Sequence, residues 1–251
     1  MNFYKTAYGK VAFKLDCSNI IVRLSGGFDS AVMLYTIAFL LNENNLSPSI
    51  YPLTVRKINN PNNDPAMDKA NPYPVVDTIL DYVKDKFPNL DVKPTQRLDV
   101  DNWWLDNDTG KIYSNAQDEL LLKIIKDYNL DTDVVSYNGV TKNPDVHIGE
   151  EKHNPEKNRQ VPLIIGAIAN SRSVYHNTKQ FGHEIEPFRN FDKRIVFSLA
   201  DRFGILQDML SITRSCEGLR EATDNFTTTC KTSPICWWCY EREWANKNYE
   251  K

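Results

Sequence analysis

Two kinds of apolar pattern alternate along the first half of the chain. Asn19 to Leu24 (NIIVRL) is an almost unbroken apolar run, as in a parallel strand covered on both faces, and Ala31 to Leu41 is an apolar run of helical length. Ser47 to Val55 (SPSIYPLTV) reads as a second strand, with Pro48 and Pro52 better suited to its start or to a bend than to its middle. Residues 56–74 are dense in Asn, Pro and Asp and read as a surface loop. Val76, Ile79, Leu80, Val83 and Phe87 then recur at helical spacing, which leaves Asp81, Lys84 and Asp85 on the wet face. Asp91 to Leu98 gives a third strand, and Asp101 to Ser114 an aromatic loop or hairpin holding Trp103 and Trp104. Gln117 to Tyr128 gives a helix and Thr132 to Tyr137 a fourth strand.

Strand and helix therefore alternate, which predicts an α/β fold: a parallel sheet with helices on both faces and right-handed crossovers. Lys10 to Leu15 reads as an edge strand ahead of this unit. Ligands of such folds bind at the carboxyl ends of the strands. Two positions there are candidates for a substrate contact. Arg23 is a charge in an otherwise apolar strand and suits either a ligand or a structural ion pair; Asn138, with Gly139, follows the fourth strand. Residues 140–159 form a long polar stretch that suits either a lid or a plain surface excursion. Its His147 and His153 lack the i, i+4 spacing of helical metal ligands. Pro162 to Tyr175 is an apolar helix carrying Asn170 and Arg172, the third substrate candidate, and Asp192 to Phe203 is an amphipathic helix with Lys193 in its first turn.

The junction between the first strand and the first helix is Ser25-Gly26-Gly27-Phe28-Asp29-Ser30. Paired glycines let a backbone approach a bound group, and the free N–H groups of the first helical turn favour an anion. The stretch lacks the Gly-Lys-Ser/Thr ending of a Walker loop and the third glycine of a dinucleotide fingerprint. At these residues the chain resembles the ATP pyrophosphatases, or PP-loop enzymes, whose signature is SGGxDS. The resemblance implies an adenine nucleotide alpha hydrolase-like fold in which ATP is split between its α and β phosphates and AMP is placed on a carbonyl or carboxylate oxygen. It also implies that Leu24, Ser25, Gly26, Gly27, Phe28, Asp29 and Ser30 line the phosphates, with Asp29 near Mg²⁺.

Composition narrows the classes without choosing among them. At 251 residues, with 41% hydrophobic and 25% charged positions, the chain is long enough for a proper core and is not disordered throughout. A net charge of −3 gives no general reason to bind nucleic acid, so direct nucleic-acid binding is not expected. The longest apolar run falls short of the ~20 residues that cross a bilayer, and Met1 to Asp16 lacks the apolar core of a signal peptide. No membrane partner is expected, and a cytoplasmic location follows by default.

The last third of the chain changes character, because four of the five cysteines cluster there as Cys216, Cys230, Cys236 and Cys239. The Cys236-Trp237-Trp238-Cys239 turn can place two thiolates on one tetrahedral ion, and the other two complete a four-sulfur structural site. Zn²⁺ is the favoured ion, an iron–sulfur cluster the competing one, and a redox Cys-x-x-Cys a third use. Cys17 is left over as a core thiol.

A PP-loop at one end and four clustered cysteines at the other resemble 7-cyano-7-deazaguanine synthase. Thr213-Arg214-Ser215-Cys216 looks like that family's Thr-x-Ser-Cys, and Cys239-Tyr240-Glu241-Arg242 like its final cysteine and following arginine. Pro187 to Ile195 looks like a family stretch ending in a lysine at a helix start, which implies Lys193 as a phosphate contact. The departures fall where the family meets its second substrate: Thr54-Val55-Arg56-Lys57 and Ser136-Tyr137-Asn138-Gly139-Val140 replace the family's segments, and the cysteines are spaced more widely. The resemblance implies a PP-loop domain over residues 1–205 and a small four-cysteine zinc knot over residues 206–251 packed on it. The implied reaction is ATP-dependent adenylation of a carboxylate, then attack of ammonia, converting 7-carboxy-7-deazaguanine to an amide, which a second ATP-driven round dehydrates to the nitrile if the family reaction is kept. ATP, Mg²⁺ and Zn²⁺ would be the cofactors and a small molecule and ammonia the partners, with a homo-oligomer left open. The rival readings are a sulfur-handling PP-loop enzyme, such as a tRNA thiolase or a phosphoadenosine phosphosulfate reductase, and a non-catalytic nucleotide-binding module.

Overall fold

The structure is a computed structural model that describes residues 2–58, 71–101, 111–130, 133–141, 175–178, 182–214 and 237–250. Its strands are β1 (Asn2–Thr6), β2 (Gly9–Phe13), β3 (Asn19–Arg23), β4 (Ser49–Lys57), β5 (Gln96–Val100), β6 (Val134–Asn138), β7 (Tyr175–Thr178) and β8 (Gly182–Ile185). Its helices are α1 (Phe28–Glu43), α2 (Tyr73–Lys86), α3 (Lys111–Asp127), α4 (Arg194–Arg202), α5 (Leu206–Ile212) and α6 (Trp237–Asn248).

β3 is the strand around which the sheet is laid out. It pairs in parallel with β4 on one side and β6 on the other, and the sheet runs β5-β4-β3-β6-β8-β7 with only the edge strand β7 antiparallel. The chain leaves β3 towards β4, whereas β6 is followed on its other side by β8, so the carboxyl ends of β3 and β6 flank a topological switch point. Alternate residues of β3 feed two cores. Ile20 and Val22 pack with α1, α2, α4 and the β2 residues Val11 and Phe13, whereas Ile21 joins Tyr51, Leu53, Val55 and Val134 beneath Leu120, Leu121 and Ile124 of α3. Helices thus cover both faces, as the alternation of strand and helix predicts.

Several boundaries depart from the sequence reading. The lead-in forms a hairpin, β1 with β2, rather than a single edge strand over Lys10 to Leu15. Pro52 sits in the middle of β4, opposite Val22, and not at a bend. Its ring nitrogen falls on the side where Ile50 bonds Asp91 and Lys93 but where β5 begins only opposite Leu53, so the missing N–H costs no ladder bond. The third strand starts later, at Gln96, with Val92 making an isolated bridge to Ile50. α3 begins at Lys111, inside the stretch expected as a loop or hairpin; Trp103 and Trp104 lie outside the described residues. The helix expected over Pro162 to Tyr175 also lies outside them, except that Tyr175 opens strand β7. β7 and β8 were not foreseen because both are short and polar.

Candidate functional site

The loop after β3 turns through Gly26 with φ +77, a left-handed conformation that favours glycine, and a Cβ there would also meet Val75 of α2 at 3.2 Å. α1 begins at Phe28 with Gly27 as its cap residue, and no side chain caps it. The first-turn N–H groups therefore have no intrahelical acceptor and no side-chain substitute, which suits an anion. Both serines brace the loop from within. Ser30 Oγ donates to Gly27 O at 3.1 Å and lies 3.3 Å from Ser25 Oγ, which accepts from Gly27 N at 3.3 Å. Leu24 and Phe28 are buried, with the Phe28 ring 4.5 Å from that of Phe197, so only their main chain is left for a ligand.

Asp29, in the first turn of α1, is the polar centre of the site. Its Oδ2 accepts from Lys193 Nζ at 2.7 Å and from Thr141 Oγ1 at 3.4 Å. Its Oδ1 is buried with no hydrogen-bond partner in the structure. A carboxylate oxygen shielded from water and left bare is costly, and a divalent cation is the ligand that suits such an oxygen. Mg²⁺ would be held there by Asp29.

Lys193, immediately before α4, is only 5% exposed and also lies 3.4 Å from Glu241 Oε2 of α6. Burial works against its charge, but the Asp29 and Glu241 carboxylates outweigh that and hold the ammonium above the usual lysine range. Burial pushes the Glu241 carboxyl up to about 7 against the pull of Lys193. Next to it, Arg242 donates to the carbonyls of Leu210 (2.8 Å) and Thr213 (3.2 Å), with its guanidinium 5.6 Å from the Phe28 ring centre. Arg214 N then donates to Gly26 O at 2.9 Å. The two C-terminal stretches carrying the resemblance thus meet the loop itself.

On the β6 side, Gly139 lies against the first turn of α1, so Asn138-Gly139 and residues 25–30 are neighbours, as expected for adjacent strands. Asn138 Nδ2 donates to Glu186 Oε1 at 3.2 Å, and Glu186 also pairs with the fully buried Arg189. Arg23 is engaged as an ion pair, with Nη2 2.9 Å from Asp118 and 3.1 Å from Glu184, so the structural alternative for it is the one observed. Arg172 lies outside the described residues.

Of the four clustered cysteines, Cys216, Cys230 and Cys236 lie outside the described residues, and Cys239 is buried on α6. Among the described residues no three His, Cys, Asp or Glu side chains are grouped to hold a metal. Cys17 lies at the amino end of β3, opposite the loop, where burial and the Asp133 carboxylate push its thiol up to about 12.

Glu241, Thr141 and the main chain of Arg214 were not singled out from the sequence as site residues. Glu241 and Arg242 had a signal in their place directly after Cys239, whereas Thr141 had none.

No family model matches this chain. No curated protein matches it either. Among solved structures it is similar to the U34-tRNA thiolase NcsA from Methanococcus maripaludis with its 4Fe-4S cluster, at 16% identity and a TM-score of 0.39. That match covers 76% of this chain and 59% of the thiolase, less than two thirds of its length. At that score the likeness carries no weight for family or function.

Proposed function

We propose that this protein binds ATP at residues 25–30, cleaves it between the α and β phosphates, and places AMP on a carboxylate or carbonyl oxygen of a small molecule. Ammonia then displaces AMP. The observation that carries this reading is the meeting of an uncapped helix N-terminus with Asp29 and Lys193 at the switch point between β3 and β6.

First-turn N–H groups of α1 and the Lys193 ammonium bind and orient the triphosphate. Mg²⁺ on Asp29, when bound, offsets phosphate charge. The second substrate would lie at the carboxyl ends of β3 and β6, where Gly139 brings the end of β6 against the loop, with its oxygen facing the α-phosphorus. No side-chain nucleophile is needed, because the substrate's own oxygen attacks and pyrophosphate leaves. The specific substrate put forward is 7-carboxy-7-deazaguanine: ammonia on its adenylate gives the amide, and a second ATP, placing AMP on the amide oxygen, gives the nitrile as AMP leaves with that oxygen. Residues 1–205 would carry the nucleotide chemistry and residues 206–251 a zinc site on Cys216, Cys230, Cys236 and Cys239. Cys17 does not suit a sulfur relay, being half-buried, at the far end of β3 and with a thiol that resists ionisation.

The test is AMP and pyrophosphate release by purified, metal-analysed protein given ATP, Mg²⁺, ammonium and 7-carboxy-7-deazaguanine, with the product sought by mass. Nitrile or amide formation is the expected result. Pyrophosphate release without either product would keep the ATP site and reject the deazaguanine, and no release with any carboxylate offered would reject the adenylation.

A further inference from the structure

The described cations that meet the loop are already committed before any ligand arrives. Lys193 Nζ stands between Asp29 Oδ2 at 2.7 Å and Glu241 Oε2 at 3.4 Å, and Arg242 spends both its Nη groups on the Leu210 and Thr213 carbonyls. Two carboxylates thus share one ammonium in a site shielded from water, with Lys193 and Glu241 both about nine-tenths or more buried. An ammonium has three donors, so Lys193 can still reach a phosphate oxygen, yet its charge is already spoken for twice. The PP-loop reading needs only Asp29 and Lys193, and leaves Glu241 without a role.

We propose that Glu241 is a specificity-determining residue that makes this site accept nucleotide with its divalent cation and reject metal-free nucleotide. The inference rests on the nucleotide reading above and deepens it. With Glu241 in place, a bare triphosphate tail meets a group with no net positive charge, because Asp29 and Glu241 offset Lys193 and Arg242, and the Arg242 Nη donors are turned to the Leu210 and Thr213 carbonyls. A divalent cation arriving with the nucleotide reverses the balance and finds Asp29 Oδ1, the buried oxygen without a partner. Removing the Glu241 charge releases Lys193 to the phosphates and makes the cation dispensable for binding. Packing alone predicts something different: a damaged α6 would weaken both forms of the nucleotide together.

The experiment is calorimetric titration of ATP at pH 8, with Mg²⁺ and in resin-treated buffer without added divalent cation, so that metal held by cysteines stays in place. Wild-type protein, Glu241→Gln and Glu241→Asp are compared, with a thermal midpoint for each. Wild-type protein is expected to bind Mg²⁺-ATP at least roughly tenfold more tightly than metal-free ATP, as a nearby unit charge at an effective dielectric of about 20 would impose. Glu241→Gln is expected to tighten metal-free ATP until the two differ by roughly threefold or less, and Glu241→Asp to keep the discrimination. An undiminished ratio in Glu241→Gln, or an equal loss of both affinities, overturns the assignment while leaving the ATP site standing. Wild-type protein that binds neither form overturns the nucleotide reading and this inference with it.

Discussion

Gly139 approaches Ser30 so closely that a Cβ on Gly139 would stand 3.0 Å from both the Ser30 main-chain nitrogen and its Cα. Main chain at the start of a helix cannot swing aside as a side-chain tip can. Gly139→Ala is therefore expected to cost about 1–3 kcal/mol of stability, the usual range for overpacking. Because the displaced atoms belong to the loop, the KM for ATP should rise as well. Urea unfolding and initial-rate kinetics on one preparation would show both; a variant matching wild type in both would mean that the two strand ends do not meet as described.

Asp29→Ala removes the oxygen offered to a cation and the acceptor of Lys193. Pyrophosphate release should fall by on the order of a hundredfold or more, the scale seen when one preorganised electrostatic partner is removed. The circular dichroism spectrum should stay that of wild type, since Asp29 is only partly buried at the helix start. Unchanged pyrophosphate release would sink the phosphate assignment.

Arg242→Met leaves the carbonyls of Leu210 and Thr213 without their donor in a buried place. Each such loss costs about 1–3 kcal/mol. The segment so loosened also carries Arg214, whose N–H holds Gly26 O, so weaker ATP binding should accompany the lower thermal midpoint. Lysine should not rescue it, because its single compact ammonium lacks the planar guanidinium whose two Nη groups reach the Leu210 and Thr213 carbonyls.

Cys17 has a thiol pushed up to about 12, mainly by burial. At pH 8 its thiolate is about one part in ten thousand, so alkylation mapped by mass spectrometry should be far slower than for an ordinary thiol. The same shift has a stability consequence. The folded thiol holds its proton more tightly than the unfolded one, so the contribution is whole below the ordinary thiol pKa and is lost as pH rises from there toward 12. Cys17→Ala should leave turnover unchanged, and a large loss would bring back a sulfur relay.

Cys239→Ser should lower the zinc content and the thermal midpoint together, because α6 would lose its proposed tether while still carrying Glu241 and Arg242. Equal metal content in variant and wild type would count against the four-cysteine site.

What the sequence shows well is whatever depends on near neighbours. Ile20 to Val22 and the run from Ala31 to Leu41 announce β3 and α1, and the glycine pair between them marks the turn. Asn138-Gly139 falls beside that turn only if the first and fourth strands are neighbours, and β3 does pair with β6. Pro52 misled because proline argues against a strand interior only where the partner strand is present to receive its N–H. Glu241 was hidden for a different reason. Its meaning lies in an ammonium that arrives from a distant helix start, and no local pattern marks that meeting. Arg23 looked equally ready for a ligand or a carboxylate until Asp118 and Glu184 were seen beside it.

Asp29 and Lys193 are joined across 164 positions of sequence, and Glu241 closes the same group from still further along the chain. Contacts of such separation form late, since the chain must give up loop-closure entropy before they repay it. A chain synthesised only as far as β4 contains Asp29 but neither Lys193 nor Glu241, and so lacks the full grip proposed for a triphosphate. Nucleotide would therefore act as a ligand of the finished fold alone, raising the midpoint of unfolding without hastening the steps that lead to it.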